Sequence, residues 1–334
     1  MKRVVLIADF DPSVEGLFDR LTEGRFELIR RHDLAGVARE DALIEALGGA
    51  WAVIAGNERY TRRVLESAPD LRVIARPGVG YDAIDIAAAT QRAIGVFITP
   101  GTNHEAVADL TLGLMLATLR KVALLDRTIR SGGWRVDGLA RDLHGSTVGV
   151  IGLGLIGRAV VRRLVGFGCR IIAAEPNPDS AFCTKFGVRL AEFDDFLPEV
   201  DVVTLHVPLQ TSTRHLVNRV RLARMRPTAV LINTSRGAVV DQRALVDALA
   251  AGSIGGAGLD VFEEEPLHSG DPLVSFDNVV LTSHIASHTT EAMTEMIEAT
   301  IEGIGQVARG ETPHGCLNPE VFARLEEATR DATR

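Results

Sequence analysis

Residues 148–157 constrain the fold of this chain more than any other stretch. A short apolar run leads into Gly152, Gly154 and Gly157, which form a Gly-x-Gly-x-x-Gly pattern, and apolar residues then recur at helical spacing. In this context Gly152 permits a tight turn, Gly154 allows a pyrophosphate to approach the backbone, and Gly157 lets helix and strand pack closely. The stretch therefore predicts the strand–turn–helix unit of a dinucleotide-binding Rossmann domain.

Short β-branched runs alternate with helix-length segments along most of the chain. We predict a first series of strands at residues 4–8, 26–29, 52–55, 73–75 and 96–98, and a second series that begins at residue 148 and continues at 170–174, 202–205, 229–232, 257–259 and 279–281. Strands that are apolar on both faces and joined by helices form parallel sheets. The chain has 334 residues, which is more than a single hydrophobic core usually accommodates. The sequence therefore predicts two doubly wound α/β domains.

The segment between the two strand series indicates how the domains are connected. Residues 103–130 are rich in Ala, Leu and Thr and contain Gly113 as their only glycine or proline, so we interpret them as one long linking helix. The helical residues from about 287 to 307 begin no further sheet, and we expect them to return to the first domain. The prediction is a Rossmann NAD-binding domain, residues 102–286, inserted in a flavodoxin-like substrate domain, residues 1–101 and 287–334. We expect the last dozen residues to fray.

An acidic residue follows the second strand of the predicted dinucleotide domain. Glu175 comes directly after residues 170–174, near the spacing of about 20 residues at which such domains place the acid that bonds the adenosine ribose hydroxyls. A carboxylate at this position repels the additional phosphate of NADP. We therefore predict NAD as the cofactor.

Chemistry-bearing side chains follow the later strands of the same domain: His206, Arg236, Asp260 and His284, with Glu265 shortly after Asp260. Ligands bind beyond the carboxyl ends of parallel strands, so we expect these side chains at one edge. An Arg fork binds carboxylate and carbonyl oxygens, and a His exchanges a proton with a hydroxyl. A Glu bonded to the other ring nitrogen orients the imidazole and favours its charged form. Dehydrogenation of a 2-hydroxy acid requires this set of groups.

These motifs resemble those of the D-isomer-specific 2-hydroxyacid dehydrogenase family, and most of all its short members of the phosphoglycerate-dehydrogenase type. The resemblance covers residues 76–290 and is carried by residues 78–85, 103–109, 152–157, 206–209, 233–237, 260–266 and 284–286. Two positions depart from the usual pattern. Asp109 stands where Glu is usual, and Ser283 replaces the usual Pro before the His, which loosens that turn but keeps the imidazole.

The resemblance implies roles for individual residues. Arg236 would bind substrate and His284 would be the acid/base, with Glu265 as its partner and Glu264 as a minor rival to Glu265. The implied substrate contacts are Arg76, Val79, Gly80, Asn103 and Arg236, in which Val79 and Gly80 offer backbone N–H groups to the carboxylate. The implied cofactor contacts are Gly152, Gly154, Leu155, Ile156, Gly157, Glu175, His206, Pro208, Thr213, Thr234, Ser235, Asp260 and His284, with Asp260 at the nicotinamide carboxamide. We interpret His206 as a residue that bonds backbone or lines the cofactor site rather than a catalyst.

The substrate stays open between two classes. Arg76 and Arg135 would suit a phosphorylated acid of the 3-phosphoglycerate type, but residues 53–58 lack the Arg that phosphoglycerate enzymes of similar pattern place there. Glyoxylate or hydroxypyruvate reduction is therefore a competitor. Formate oxidation is disfavoured, because formate enzymes of similar pattern lack the acidic partner that Glu265 supplies. The alternatives outside this reaction are a non-catalytic NAD(H)-sensing binding protein and a phosphite-type dehydrogenase.

Composition narrows the partners and the compartment. The formal net charge of −8 argues against binding to nucleic acid or to an anionic membrane, both of which favour basic surfaces. Cys169, Cys183 and Cys316 stand singly, and no histidine spacing suggests a metal site, so we expect neither disulfides nor metal. The chain start has too short an apolar run for a signal peptide or a membrane span. We expect a cytoplasmic enzyme for a small molecule, and a homodimer formed through residues 103–130.

Overall fold

A computed structural model describes residues 1–24, 26–36 and 39–323 of the chain. The chain divides into two compact units, one formed by Met1–Asn103 with His288–Arg334 and the other by His104–Ser287. The expected fraying at the C-terminus concerns residues that lie almost entirely outside the described ranges. No helix in the described ranges has the length and apolarity needed to cross a membrane.

The first unit is built on a parallel sheet of five strands. These are β1 Lys2–Leu6, β2 Phe26–Arg30, β3 Ala52–Ile54, β4 Val73–Arg76 and β5 Gly95–Ile98, in the spatial order β2-β1-β3-β4-β5. Each neighbouring pair is parallel. This strand order is that of a flavodoxin-like doubly wound sheet, as the sequence predicted.

Helices cover both faces of the five-stranded sheet. They are α1 Pro12–Glu15, α2 Arg20–Glu23, α3 Glu40–Ala46, α4 Arg62–Glu66, α5 Ile86–Gln91 and, from the end of the chain, α13 Thr290–Ala308. One face packs Phe18 and Ile297 against the sheet, and the other packs Leu43 and Leu65. Burial on both faces explains why these strands read as continuous apolar runs instead of alternating ones.

The second unit is built on a parallel sheet of seven strands. These are β6 Thr147–Ile151, β7 Arg170–Ala174, β8 Arg189–Leu190, β9 Val202–Leu205, β10 Val230–Asn233, β11 Gly256–Leu259 and β12 Val279–Leu281, in the order β12-β11-β10-β9-β6-β7-β8. The order reverses between β6 and β9, which is the switch point where Rossmann domains bind dinucleotides. The sequence did not predict β8, because its two residues are exposed and pair only with β7.

The helices of the second unit correct one prediction. They are α6 His104–Leu119, α7 Val122–Arg130, α8 Leu155–Gly166, α9 Ser180–Phe186, α10 Phe193–Phe196, α11 Arg219–Leu222 and α12 Gln242–Ala250. The single long helix predicted for residues 103–130 is wrong, because the chain breaks into α6 and α7. Lys121 adopts a left-handed backbone with φ of 57°, and its ammonium donates to the carbonyls of Asp137 and Gly138 at 2.9 and 3.1 Å. Neither glycine nor proline marks this break in the sequence.

Candidate active site

The second unit gathers most of the predicted site residues at one edge of its sheet. Gly152 follows β6, His206 follows β9, Arg236 follows β10 by three residues, Asp260 follows β11 and His284 follows β12 by three residues. All neighbouring strands are parallel, so these positions share the carboxyl edge of the sheet. This edge is where ligands bind in such folds.

The glycine turn leaves space at the start of a twelve-residue helix, α8. Gly152 has φ of 93°, and a Cβ atom there would lie 2.6 Å from the carbonyl oxygen of His206. A Cβ on Gly157 would lie 2.0 Å from the Gly152 carbonyl oxygen, whereas one on Gly154 would meet nothing within 4 Å. The first turn of α8, which begins with Leu155 and Ile156, has no side-chain cap. Its unpaired N–H groups and the open space beside Gly154 suit a pyrophosphate.

Glu175 lies against this glycine turn. Its Oε2 accepts the N–H of Leu153 at 2.8 Å and its Oε1 accepts the N–H of Asn177 at 3.0 Å. Glu175 also lines a cavity of about 640 Å³ together with Val207 and Thr213. A fixed carboxylate at the rim of a cavity this large suits the hydroxyls and base of an adenosine, so the residues present fit a nicotinamide dinucleotide.

The turn after β9 supports the same cavity. The Thr213 hydroxyl donates to the Pro208 carbonyl at 2.6 Å and accepts the Gln210 N–H at 2.8 Å. Thr213 is a lining residue of the cavity. Pro208 and Thr213, both predicted cofactor contacts, therefore belong to one closed turn beside it.

His206 is shielded at both ring nitrogens. Its Nε2 lies 3.0 Å from the hydroxyl of the buried Thr204, and its Nδ1 is buried with no hydrogen-bond partner in the described part of the chain. Some of the residue's surface reaches solvent, but Nδ1 does not. Burial lowers the pKa of His206 to about 3. The ring is therefore neutral near pH 7 and unsuited to acid–base exchange there.

A buried asparagine shapes the turn that carries Arg236. The Oδ1 of Asn233, a residue 1% exposed, accepts the N–H and the hydroxyl of Ser235 at 3.0 and 2.7 Å. Its Nδ2 donates to the Arg236 carbonyl at 2.9 Å, and the Thr234 hydroxyl lies 2.9 Å from that of Thr111. The guanidinium of Arg236 itself donates to the Ser235 carbonyl at 2.8 Å. In the sequence, Asn233 is marked only as part of the motif at residues 233–237, so its role in shaping the Arg236 turn is not predicted.

Asp260 shapes the turn that carries His284. Its carboxylate is fully buried and accepts the Thr282 hydroxyl at 2.7 Å, the Ile285 N–H at 2.9 Å and the Ala286 N–H at 3.0 Å. Its backbone carbonyl accepts the His284 N–H at 2.7 Å. His284 has a left-handed backbone with φ of 57°, which costs a non-glycine residue energy and requires such support. The resemblance suggested a carboxamide contact for Asp260 and gave no sign of this one.

Glu265 and His284 form a direct pair. The Nδ1 of His284 lies 2.7 Å from Oε2 of Glu265, whose Oε1 accepts the N–H of Phe262 at 3.0 Å. Burial raises the pKa of Glu265, but the hydrogen bond and charge of His284, the Phe262 N–H and the charge of Arg236 lower it more, so this pKa lies below its ordinary value. Glu265 is therefore ionised near pH 7. An ionised carboxylate can only accept, so the Nδ1 of His284 is the donor in this pair, which leaves Nε2 to exchange a proton. Glu264 is exposed.

The remaining predicted substrate residues lie in the first unit. Arg76 ends β4, and its guanidinium donates to the Asn57 side-chain oxygen at 2.8 Å and to the Pro77 carbonyl. Val79 and Gly80 belong to the turn that follows, and Asn103, 8% exposed, ends the first segment of this unit. Arg135, in the second unit, is exposed.

Sequence reasoning missed a buried carboxylate near Arg76. Glu58 is 3% exposed, and its two oxygens accept the N–H groups of Gly36 and Gly56 at 3.1 and 2.9 Å. The pKa of the neighbouring Tyr60 lies well above its ordinary value, because burial and the charge of Glu58 raise it more than the charge of Arg76 lowers it. Across the described residues, no group of three or more His, Cys, Asp or Glu side chains could hold a metal ion.

Comparison with known proteins gives consistent matches. The family model described as "D-isomer specific 2-hydroxyacid dehydrogenase, NAD binding domain" matches residues 112–286. A glyoxylate reductase of Korarchaeum cryptofilum is 45% identical over 263 residues, which are 77% of this chain and 79% of that protein. A D-3-phosphoglycerate dehydrogenase of Methanocaldococcus jannaschii is 39% identical over 85% of this chain and 54% of its own length. The solved TT0316 protein of Thermus thermophilus is 37% identical, with a TM-score of 0.85 over 94% of this chain and 99% of that one.

Proposed function

The chain belongs to the D-isomer-specific 2-hydroxyacid dehydrogenase family, and we propose that it reduces a small unphosphorylated 2-keto acid such as glyoxylate with NADH. Membership makes it an NAD(P)-dependent oxidoreductase of 2-hydroxy and 2-keto acids and does not favour a binding-only protein or a phosphite enzyme. The observation that carries the proposal is the 2.7 Å contact between His284 and Glu265. It supplies the proton exchange that this reaction needs.

We propose the following roles for the cofactor and the site residues. The dinucleotide, when bound, supplies or accepts the hydride. His284 donates a proton from Nε2 to the keto oxygen during reduction and accepts it back from the hydroxyl during oxidation. Glu265 holds Nδ1, fixes the ring and stabilises the imidazolium, while the planar guanidinium of Arg236 binds the carboxylate and the polarised oxygen. The contacts that the resemblance gives to Arg76, Val79, Gly80 and Asn103 remain part of the proposal.

Glu175 supports NAD over NADP. Both of its oxygens are fixed by backbone N–H groups, so the carboxylate cannot swing far from the cavity that it lines. Its remaining lone pairs suit the two ribose hydroxyls. A phosphate on the ribose would instead bring two negative charges together in a partly enclosed site, where their repulsion is weakly screened.

The surroundings of Arg76 support an unphosphorylated substrate. Asn57 and Glu58 occupy the stretch where phosphoglycerate enzymes of similar pattern carry an Arg, and Glu58 adds a buried negative charge. The Arg76 fork is already engaged by Asn57 and Pro77. A phosphate dianion would therefore find less net positive charge here than a phosphoglycerate enzyme provides. The glyoxylate reductase name of the Korarchaeum relative points the same way.

Initial rates with NADH, followed by absorbance, test the substrate. The panel contains glyoxylate, hydroxypyruvate and phosphohydroxypyruvate. We expect kcat/KM for an unphosphorylated acid to exceed that for phosphohydroxypyruvate at least about tenfold, which is one lost charge contact of about 1.4 kcal/mol. Preference for the phosphorylated acid overturns the substrate class, and turnover of none of them overturns the function.

Helix α7 supports a homodimer. None of its residues is buried, and Val122 and Ile129 are 52% and 54% exposed, as are Trp134 at 78% and Leu139 at 96% just beyond the helix. An apolar surface of this kind marks an interaction site. We assign the dimer contact to α7 in preference to α6, because the apolar residues of α6 are largely used in the core of its own unit.

Free thiols support a reducing compartment. Cys169, Cys183 and Cys316 form no disulfide. Disulfides are rare in the cytosol, so a cytoplasmic location remains the proposal.

A further inference from the structure

The segment that carries Glu265 packs backbone to backbone against the turn that carries Arg236. A Cβ atom on Gly237 would lie 1.8 Å from the carbonyl carbon of Phe262, 1.9 Å from its oxygen and 2.4 Å from the nitrogen of Glu263. Gly237 is buried and its φ lies outside the left-handed region. The glycine is therefore required for space and not for conformation, since even one methyl group would have to displace a peptide bond.

The start of α12 holds the same segment through a second set of contacts. The N–H of Glu263 donates to Oε1 of Gln242 at 3.0 Å, and the N–H of Gln242 donates to Oε1 of Glu263 at 3.2 Å. The Gln242 amide is oriented by Asp271, which accepts its Nε2 at 2.8 Å. The Nε2 atom of His215 lies 2.8 Å from the same Glu263 oxygen. Glu263 is thus held by three contacts, although part of its side chain stays exposed.

The position of this backbone determines the position of the Glu265 carboxylate. Oε1 of Glu265 is bonded to the N–H of Phe262, the first residue of the segment, and Oε2 is bonded to His284. A shift of the peptide between Phe262 and Glu263 therefore moves the carboxylate relative to the imidazole. The backbone at residues 262–263 packs against Gly237, the residue that follows Arg236.

We propose that Gly237 and Gln242 are positioning residues that clamp residues 262–265 through two sets of contacts and so set the Glu265–His284 contact. This inference rests on the acid–base role proposed for that pair. The charged or titratable groups around the pair are Arg236 from the turn after β10 and the buried Asp260 from the end of β11. Glu263, His215 and Asp271 belong to the clamp itself. Changes at Gly237 or Gln242 leave the chemical identity of all these groups in place, although Gln242→Met removes the side-chain hydrogen bonds to Glu263 and Asp271.

Gly237→Ala tests the first set of contacts in the clamp. We expect keto acid turnover to fall about 10–100-fold, because a misplacement of about 1 Å has an effect of this size. The alkaline limb of the pH profile for reduction should move to lower pH, since a displaced carboxylate favours the imidazolium less. NADH affinity, measured by fluorescence, should stay within about threefold of the wild-type value, because a local shift changes the binding free energy by less than the loss of one charge contact does. Gly166→Ala is the matched control, because a Cβ there meets nothing within 4 Å.

Gln242→Met tests the second set and covers the case in which Gly237→Ala does not fold. Methionine keeps the volume but removes the side-chain oxygen that accepts the Glu263 N–H and the amide that donates to Asp271, while the backbone N–H of residue 242 still donates to Glu263. The position is partly exposed and tolerates change. We expect a smaller shift of the pH profile in the same direction. The NMR signals of the His284 ring, recorded without substrate, should differ between the variant and the wild type, because the Glu265 carboxylate moves relative to the ring.

His284→Ala, measured in the same series, separates the two proposals. If this variant keeps its turnover, the acid–base role fails. If it loses turnover while Gln242→Met and any folded Gly237→Ala keep the wild-type pH profile and His284 ring signals, the clamp alone is rejected. A shifted pH profile and changed ring signals in either folded variant, with Gly166→Ala unchanged, support the clamp.

Discussion

Asp260 accepts the backbone N–H of His284 on its carbonyl oxygen at 2.7 Å, while its buried carboxylate binds the residues on both sides of that histidine. The strained left-handed conformation of His284 is therefore held by one aspartate. Asp260 in turn donates its own N–H to the Asn233 carbonyl at 2.9 Å, and Asn233 shapes the Arg236 turn. Asp260 and Asn233 thus connect the turn that carries Arg236, the proposed substrate-binding cation, with the turn that carries His284, the proposed acid/base.

Asp260→Asn should weaken both the fold and the reaction. All three groups that face the carboxylate are donors, so the amide nitrogen of Asn would meet a donor and leave it unsatisfied. A buried unsatisfied group costs about 1–3 kcal/mol, which should appear as a lower midpoint in urea unfolding, and turnover should fall more than about tenfold because the His284 turn relaxes. Asp70→Asn, at an exposed site, is the control. Unchanged stability and turnover would contradict the structural role of Asp260.

His284→Ala and Glu265→Gln should separate the two roles in the pair. Loss of the imidazole should reduce turnover about 10²–10⁴-fold, the usual range for a positioned acid or base. Reduction needs a protonated ring and oxidation a neutral one, so the two directions prefer opposite sides of one titration. Glu265→Gln removes the charge that favours the imidazolium and should move both profiles to lower pH with NADH binding retained. Profiles that stay in place would show that Glu265 does not control the ring.

The sequence predicted the parallel sheets and the residues at their carboxyl edge, because burial on both faces and the glycine pattern are local signals. It did not predict the break at Lys121, where no breaker residue occurs and the tertiary contacts with Asp137 and Gly138 favour the left-handed backbone. It also missed the roles of Asn233 and Gln242. Their partners lie in turns whose meeting depends on the folded sheet, so no spacing in the chain reveals them.

Glu175→Ala should narrow the preference for NAD(H) over NADP(H). If the carboxylate bonds the ribose hydroxyls and repels a phosphate, as proposed, the wild type should favour NADH. Removing it should raise KM for NADH and lower KM for NADPH, each by about tenfold, the effect of one charged contact of about 1.4 kcal/mol. Rates with both cofactors at several concentrations measure this change. Equal use of both cofactors by the wild type would reject the assignment.

Ile129→Glu should dissociate the proposed dimer. Ile129 is 54% exposed on α7, and a charge placed in an apolar interface costs several kcal/mol unless it is paired. Light scattering at micromolar concentration should give the mass of two chains for the wild type and one for the variant. Val220→Glu is the control, because Val220 is also exposed, at 68%, but lies on α11. A monomeric wild type would reject the proposed dimer. A variant that stays dimeric would show that the dimer contact lies elsewhere.

His206 should make the fold more sensitive to acid. Its pKa of about 3 in the folded chain lies well below the ordinary value near 6.5, so the unfolded chain binds this proton more readily. Stability from this residue is present above about pH 6.5 and is lost progressively as the pH falls towards 3. Carboxylates such as Glu265 lose their contribution only below about pH 4.5. Between pH 6.5 and 5, a comparison with a variant that lacks only His206 separates its contribution from those of the other histidines. His206→Gln cannot titrate, and its Tm should fall less than that of the wild type across this range in thermal melts without cofactor. If both proteins lose the same number of degrees between pH 6.5 and 5, His206 takes up its proton in the folded state as easily as in the unfolded one.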